Sequence, residues 1–156
     1  MLKIRIVAIG EDKDDWITEG CKHYIKLLKK YTVIEQVTVS SPKHSASLSL
    51  DEIKRLEAKA IEALKVKGML VALSDSGKSC DSASFAKLLE RWQTTSGGTV
   101  TFLIGGPYGL DTSLLKSADL ALSLSPLTFS HQLVRLVLFE QLYRGFTILH
   151  NTSYHK

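Results

Sequence analysis

The sequence predicts an α/β protein in which helices flank a mostly parallel sheet. Short apolar runs rich in β-branched residues alternate along the whole chain with segments of helical periodicity. Turns containing glycine or proline separate several of these segments, and a length of 156 residues suits one domain. No repeat, linker or low-complexity tract interrupts the pattern, so residues 1–156 are predicted to form a single domain.

The N-terminal part of the chain predicts two strands with a helix between them. Leu2–Ile9 and Val33–Val39 are rich in β-branched residues, which favour strands. Asp14–Lys29 carries apolar residues near helical spacing and predicts an amphipathic helix. The polar segment Ser40–Ser49 follows, and it predicts a mobile loop.

The second predicted helix has a clear start. Ser49 is followed three residues later by Glu52, which is the pattern of a capping box. Apolar residues then recur near helical spacing and predict the buried stripe of this helix, formed by Ile53, Leu56, Ala60 and Leu64.

A buried strand and a third helix are predicted in the middle of the chain. Met69–Leu73 is a compact apolar run, and the polar loop Ser74–Cys80 follows it. Asp81 is a suitable N-cap for a helix that reaches about Thr94.

The C-terminal part repeats the alternation. A turn at residues 96–98 leads into a strand at Val100–Ile104. A short helix at Asp111–Lys116 and a strand at Ala118–Leu124 follow, and the last helix covers about His131 to Phe146.

Composition restricts the classes of function. The chain has 20 Lys and Arg against 16 Asp and Glu, a net charge of +4, which is weak support for a nucleic-acid partner. Cys21 and Cys80 form no CxxC pair, so neither a zinc site nor a disulfide framework is expected. No apolar stretch approaches the roughly 20 residues that span a membrane, and the first residues predict a strand rather than a signal peptide. We therefore expect a cytoplasmic protein without a membrane partner.

Two glycine-containing turns allow alternative interpretations. The turn at Gly105–Gly109 brings bare backbone to the carboxyl edge of the sheet, but Pro107 breaks the dinucleotide-binding pattern. Residues 77–79 read Gly-Lys-Ser like the end of a P-loop, although Ala72 occupies the position where that pattern requires glycine. A solvated turn is the better interpretation of the second segment.

The last predicted helix has apolar residues around nearly its whole circumference, together with four polar residues at helical spacing. Its apolar surface predicts burial on more than one side, with the sheet on one side and a second subunit on another. His131 and Arg135 share a face, and Glu140 and Arg144 repeat that spacing as a simple ion pair or as part of a site. Arg135 has apolar neighbours, so its guanidinium is expected to require an anionic partner.

The chain ends on Tyr154, His155 and Lys156. An aromatic ring, an imidazole and an ammonium can together stack on a base and hold a phosphate. The tail is therefore a candidate contact for RNA.

Four segments carry a resemblance to a known family. They read F-L-I-G-G-P-Y-G-L at 102–110, L-S-P-L-T-F-S-H-Q-L-V-R at 124–135, E-Q-L-Y-R at 140–144 and Y-H-K at the terminus. In this order they resemble the SPOUT-class RNA methyltransferases, and within them the ribosomal large subunit methyltransferase H family. The sequence departs from the family at Ser74, where an acidic residue is common, and at Ser130 and Ser153.

The resemblance implies a Rossmann-like α/β fold with a C-terminal trefoil knot and a bent S-adenosylmethionine bound among the knot loops. The cofactor-binding residues would be Leu73, Gly105, Gly106, Leu124, Ser125, Pro126, Leu127, Thr128 and Phe129. No metal is expected, because the sulfonium already activates the methyl group.

The resemblance further implies methylation of N3 of a pseudouridine in 23S ribosomal RNA, by a homodimer that acts on the assembled ribosome. The candidate catalytic residues are Tyr154, His155 and His131. The candidate RNA-binding residues are Arg135, Arg144 and Lys156. The alternatives are a non-catalytic dimeric RNA-binding or ribosome-associated factor and a nucleotide-dependent enzyme of Rossmann type.

Overall fold

A computed structural model describes residues 1–11, 13–43, 45–95 and 97–156. His44, in the predicted polar loop, and Ser96, in the predicted turn, lie outside the described residues. The strands are β1 (Lys3–Ile9), β2 (Val33–Val39), β3 (Met69–Ser79), β4 (Thr99–Ile104) and β5 (Leu120–Ser123). The α-helices are α1 (Asp15–Leu28), α2 (Leu50–Glu62), α3 (Ser82–Thr95), α4 (Thr112–Ser117) and α5 (His131–Leu149).

The five strands form one parallel sheet in the order β2-β1-β4-β3-β5. The predicted α/β class with a mostly parallel sheet is therefore confirmed. Because all strands point the same way, the segments that follow β1, β3, β4 and β5 meet at one edge. This is the edge at which open α/β sheets bind ligands.

Side chains alternate between the two faces of the sheet and build a core on each. Phe102 of β4 belongs to the core that also contains residues of α1, α3 and α5. Its neighbour Leu103 belongs to the smaller core with residues of α2 and α4. Of the helices described, not one combines the length and apolar character that a membrane crossing requires.

The start of α2 is as predicted, and its buried stripe is as predicted only in part. The Ser49 side chain accepts from the Glu52 backbone N–H, and the Glu52 carboxylate accepts from the Ser49 N–H at 2.7 Å. The buried residues of the helix are Ile53, Glu57, Ala58 and Ile61. Leu56 is exposed, and Ala60 and Leu64 are only partly buried. The prediction was confirmed for Ile53 and wrong for Leu56, because it followed the apolar residues, whereas the side of the helix that faces the sheet includes a buried glutamate.

Strand β3 continues beyond the predicted end at Leu73. Both Leu73 and Lys78 pair with Leu122 of β5, so residues 74–77 loop out of the sheet before the pairing resumes. A Cβ atom at Gly77 would lie 2.8 Å from the Ala121 carbonyl carbon, so a side chain at this position would collide with β5. The predicted solvated loop Ser74–Cys80 therefore ends earlier than expected, because Lys78 and Ser79 pair with Leu122 and Ser123 of β5 although their side chains are polar.

Candidate active site

A cavity of about 710 Å³ lies at the carboxyl edge of the sheet. Its wall comes from the outward loop of β3, the glycine turn after β4 and the segment between β5 and α5. The first residue of α5, His131, also lines it. Three segments that are distant in sequence thus meet around one cavity.

Most of the residues predicted to bind the cofactor line this cavity. Eight of the nine do so: Leu73, Gly105, Gly106, Leu124, Ser125, Leu127, Thr128 and Phe129. Pro126 is not part of the wall. Their shared position agrees with the prediction, while the binding role itself stays a prediction.

The glycine turn presents bare backbone to the cavity, and at Gly105 it has no room for a side chain. The Gly109 N–H donates to the Gly106 carbonyl at 3.0 Å, which closes the turn. A Cβ atom on Gly105 would lie 2.6 Å from the Gly109 carbonyl carbon. Gly109 itself has φ of +80°, a conformation that glycine adopts without strain.

Hydrogen bonds hold the segment after β5 against the outward loop of β3. The Thr128 hydroxyl donates to the Asp75 Oδ2 at 2.8 Å. The Ser123 hydroxyl lies within hydrogen-bond distance of the Asp75 and Ser125 carbonyl oxygens, at 3.1 and 2.8 Å. These contacts close one side of the cavity. Sequence reasoning missed Asp75 and Ser123, although Asp75 adjoins the position where the family commonly has an acid.

Arg135 lies one turn into α5 and is buried. Its guanidinium donates to the Ile9 carbonyl at 3.1 Å and to the Gly10 carbonyl, at the end of β1. The Cγ2 atom of Ile9 lies 3.2 Å from the place that a Cβ on Gly106 would occupy. Arg135 therefore stabilises the β1 end against which the glycine turn packs, and its contact with RNA stays a prediction.

Two charged residues of α2 approach the same turn, and sequence reasoning missed both. Lys54 lines the cavity. Glu57 is buried with its Oε1 atom 3.6 Å from the point that a Cβ on Gly106 would occupy, and the Ser41 hydroxyl donates to it at 3.2 Å. Burial raises the pKa of Glu57, and the Ser41 hydrogen bond opposes this shift. No pattern in the sequence marks Glu57, because the apolar residues of α2 predict a different buried side.

The C-terminal tail packs near the far end of α5. The Tyr154 hydroxyl donates to the Glu140 Oε1 at 3.0 Å, and the Arg144 Nε donates to the same oxygen at 3.1 Å. The Arg144 Nη1 lies 3.3 Å from the His155 Nδ1, and the guanidinium lies 4.8 Å from the centre of the Tyr154 ring. Glu140, Arg144, Tyr154 and His155 are hereafter the tail cluster. The pair Glu140–Arg144 is thus more than a simple helix ion pair.

The tail cluster keeps the Tyr154 hydroxyl protonated. Burial of the hydroxyl is the main cause that raises the pKa of Tyr154, and the hydrogen bonds to Tyr24 and Glu140 raise it further. The hydrogen bond to Glu140 likewise raises the pKa of Arg144. Tyr154 is therefore a hydrogen-bond donor rather than a base near neutral pH. Tyr24, whose hydroxyl lies 3.3 Å from that of Tyr154, gave no signal in the sequence.

The cavity lies at the N-terminal end of α5, and the tail cluster lies along the second half of the helix. An α-helix rises about 1.5 Å per residue, so the backbone of His131 lies about 14 Å from that of Glu140 and about 20 Å from that of Arg144. His131 is therefore separated from Tyr154 and His155, which are near each other. Lys156 is exposed at the end of the tail. Within the described ranges, no group of three or more His, Cys, Asp or Glu residues could hold a metal ion.

A family model described as "Predicted SPOUT methyltransferase" matches residues 2–155. The chain belongs to the SPOUT methyltransferase family. Relatives support this membership over their full length. The "Ribosomal RNA large subunit methyltransferase H" of Acetivibrio thermocellus is 39% identical, over 99% of this chain and 100% of that protein. The protein of the same name from Desulfotalea psychrophila is 40% identical, over 99% and 100% of the two chains. The resemblance drawn from the four sequence segments is thus confirmed.

Solved structures show the same fold for this SPOUT protein. A probable methyltransferase from Bordetella pertussis superposes with a TM-score of 0.57 at 17% identity, over 92% of this chain and 94% of that one. A probable methylase family protein from Haemophilus influenzae gives 0.56 at 18% identity, over 95% of this chain and 66% of that one. At such low identity, the likeness concerns the fold alone.

Proposed function

We propose that this chain transfers a methyl group from S-adenosylmethionine to N3 of a pseudouridine in 23S ribosomal RNA. The observation that carries the proposal is the cavity into which Leu73, the glycine turn and residues 124–129 converge. Membership in the SPOUT family supports methyl transfer, and the names of the relatives support ribosomal RNA as the substrate.

The residues of the cavity fit S-adenosylmethionine. Its volume of about 710 Å³ lies within the range of roughly 300–1,000 Å³ typical of small-molecule sites. Leu73, Leu124 and Phe129 offer apolar surface for an adenine ring, and the glycine turn offers bare backbone to its polar edge. When bound, the cofactor supplies a methyl group activated by a sulfonium.

The proposed fold includes the trefoil knot of the family. Residues 124–130 pass beside both the outward loop of β3 and the glycine turn before the chain enters α5. Helix α5 then packs on α1 and α3. This course agrees with a chain end tucked behind a loop.

The proposed active site is shared between two subunits of a homodimer. About 20 Å of α5 separates the backbone of the first cavity residue of the helix from that of Arg144, so a chain does not bring its own tail cluster to its own cavity in this arrangement. A partner tail would supply Tyr154 and His155 to the methyl group. This assignment also gives the partly buried apolar residues of α5, such as Val137, a second packing surface.

The proposed mechanism divides the work between proton removal and substrate positioning. N3 of a uracil-like ring must lose its proton before it can accept a methyl group. His155 is the proposed base, because histidine is the side chain that best takes up a proton near neutral pH. Tyr154, which retains its proton, would donate a hydrogen bond to the nucleobase of the substrate. His131, at the cavity wall, is the second candidate for proton transfer.

RNA would be held by cationic side chains around this centre. Arg144 and Lys156 are the proposed contacts to phosphates or base carbonyls, with Arg135 acting close to the cavity. A small domain with a net charge of +4 has little surface for long RNA, so the proposed substrate is the assembled ribosome in the cytoplasm.

The direct test is methylation of unmodified ribosomes with labelled S-adenosylmethionine, followed by mapping of the labelled nucleotide. We expect label at one pseudouridine of the large-subunit RNA, and much less with free ribosomal RNA. No transfer to ribosomes would overturn the proposal. Thermal unfolding with S-adenosylmethionine, ATP and NAD tests the cofactor separately, since a ligand at 100 times its Kd stabilises by about 2.7 kcal/mol.

Subunit mixing tests the shared site. Gly105→Ala damages the cavity, and the double substitution Tyr154→Ala and His155→Ala damages the tail. Each variant should be inactive alone, whereas a mixture that exchanges subunits should regain activity, because one intact cavity then meets one intact tail. If the mixture stays inactive although exchange is demonstrated, the shared site is wrong.

A further inference from the structure

The cavity wall carries one carboxylate and one ammonium. Among the described residues that line it, Asp75 is the only acid and Lys54 the only lysine or arginine. The remaining lining residues are apolar, glycine, hydroxyl-bearing or the imidazole of His131. Neither Asp75 nor Lys54 forms a salt bridge with another described residue. Two charged side chains of opposite sign therefore face one cavity, although Lys54 also interacts electrostatically with the carboxylates of Glu57 and Asp111.

Asp75 is brought to the cavity by the irregular pairing of β3. It lies in the outward loop between Leu73 and Lys78, which both pair with the same residue of β5. Thr128 donates to its Oδ2 atom, so the carboxylate is oriented, while no described residue donates a hydrogen bond to Oδ1. This leaves one carboxylate oxygen available to a cationic ligand group.

Lys54 reaches the cavity from the opposite side of the glycine turn. It lies on α2, which contacts β2, and it is close to Glu57 beneath Gly106. Strands β1 and β2 lie on one side of β4, whereas β3 and β5 lie on the other. The turn that follows β4 therefore separates the lysine from the aspartate, and a ligand that crosses the turn can meet both.

We infer that Lys54 binds the carboxylate and Asp75 the cationic end of the methionine part of S-adenosylmethionine. The inference rests on the proposed function, because it concerns how the same cavity orients that cofactor. The methionine part carries a carboxylate, an ammonium and a sulfonium, and the rest of the cofactor is uncharged. A wall with one charge of each sign matches this pattern, and it orients the methyl group relative to the adenine site. The charges are solvent-accessible, so each contact should change affinity about two- to fivefold.

Calorimetric measurement of the binding of three ligands to the full chain distinguishes the contribution of Lys54 from that of Asp75. S-adenosylmethionine carries all the charged groups, decarboxylated S-adenosylmethionine lacks the carboxylate, and methylthioadenosine lacks the whole charged part. Lys54→Met should weaken S-adenosylmethionine about two- to fivefold and leave the other two unchanged. Asp75→Asn, which retains an oxygen acceptor for Thr128, should weaken S-adenosylmethionine and its decarboxylated form by a similar factor, again sparing methylthioadenosine.

Two controls make the test specific to charge. Lys59→Met removes an exposed lysine of the same helix that does not line the cavity, so it should change none of the three affinities. Thr128→Val loosens the contact between the loops without removing a charge, so it should weaken all three ligands alike. If Lys54→Met or Asp75→Asn weakens methylthioadenosine as much as S-adenosylmethionine, or weakens no ligand, the inference is wrong. If the unaltered chain binds none of the three, the proposed function itself fails.

Discussion

The two ends of α5 present two different kinds of site. At its N-terminal end, glycine backbone and apolar side chains enclose a cavity, and few charges face it. Along its second half, Glu140 accepts hydrogen bonds from Arg144 and Tyr154, and the arginine in turn approaches His155. The first region is suited to enclosing a ligand, and the second is suited to donating hydrogen bonds and to binding charged groups.

This difference indicates which kind of substitution should impair each region. The cavity depends on space that only glycine leaves, so an added methyl group should harm it more than the loss of a side chain. The tail cluster depends on polar atoms at 3.0–3.3 Å, so side-chain truncation should disable it while the cavity stays intact. The following variants test this division, from the largest expected effect to the smallest.

Removing the tail side chains should have the largest effect. The double substitution Tyr154→Ala and His155→Ala is expected to lower methyl transfer to ribosomes by about 100- to 10,000-fold, the range that general acid–base groups supply. Cofactor affinity should change little, because the proposed roles of Tyr154 and His155 concern the RNA nucleobase rather than the cofactor. Turnover and calorimetric Kd measured on the same preparation check both statements. Unchanged turnover would refute the role of the tail.

Adding a methyl group to the glycine turn should act on the other region. Gly105→Ala is expected to weaken S-adenosylmethionine binding at least tenfold, because its Cβ would lie 2.6 Å from backbone that must then move. Gly97→Ala is the control, since Gly97 has φ of +59° but open space around its Cβ position. That variant should lose stability without losing affinity. A normal Kd for Gly105→Ala would show that the turn does not form the cofactor wall.

Replacing the buried Glu57 should produce a small, pH-dependent effect. Burial raises the pKa of Glu57 in the folded chain, so its ionised form opposes folding above that pKa and the cost disappears as the pH falls below the ordinary glutamate value. Glu57→Gln should therefore raise the Tm at about pH 8, on the order of 1–4 °C, and lose this advantage near about pH 4. Glu62→Gln, an exposed position of the same helix, should do neither. An equal gain at both pH values would contradict the assignment.

The sequence predicted elements best where local chemistry decides them. The Ser49–Glu52 capping box and the Asp81 cap, whose carboxylate accepts from the Ser84 N–H at 2.7 Å, formed as predicted. Strand β2 has the predicted bounds Val33–Val39. These features depend on residues within a few positions of one another, so sequence patterns reveal them.

Elements whose fate depends on distant partners were harder to predict. Residues 74–79 look like a solvated turn, yet the backbone of Lys78 and Ser79 pairs with β5 in a second register. Glu57 is polar but is buried, because the geometry of the sheet, rather than its own hydropathy, sets the inward side of α2. The segments 102–110 and 124–135 signalled the cavity through their resemblance to a family, and nothing in their composition alone could have brought them together.

The sequence by itself determined the α/β alternation, the family and the residue types available for cofactor, base and phosphate. The tertiary structure decided which of them share a space: it gathered Leu73, Gly105 and Phe129 around one cavity and placed Tyr154 at the other end of α5. The physical reason is that helix and strand periodicity are local properties of the chain. Cavity walls and shifted pKa values arise only when strand order and packing bring distant segments into contact.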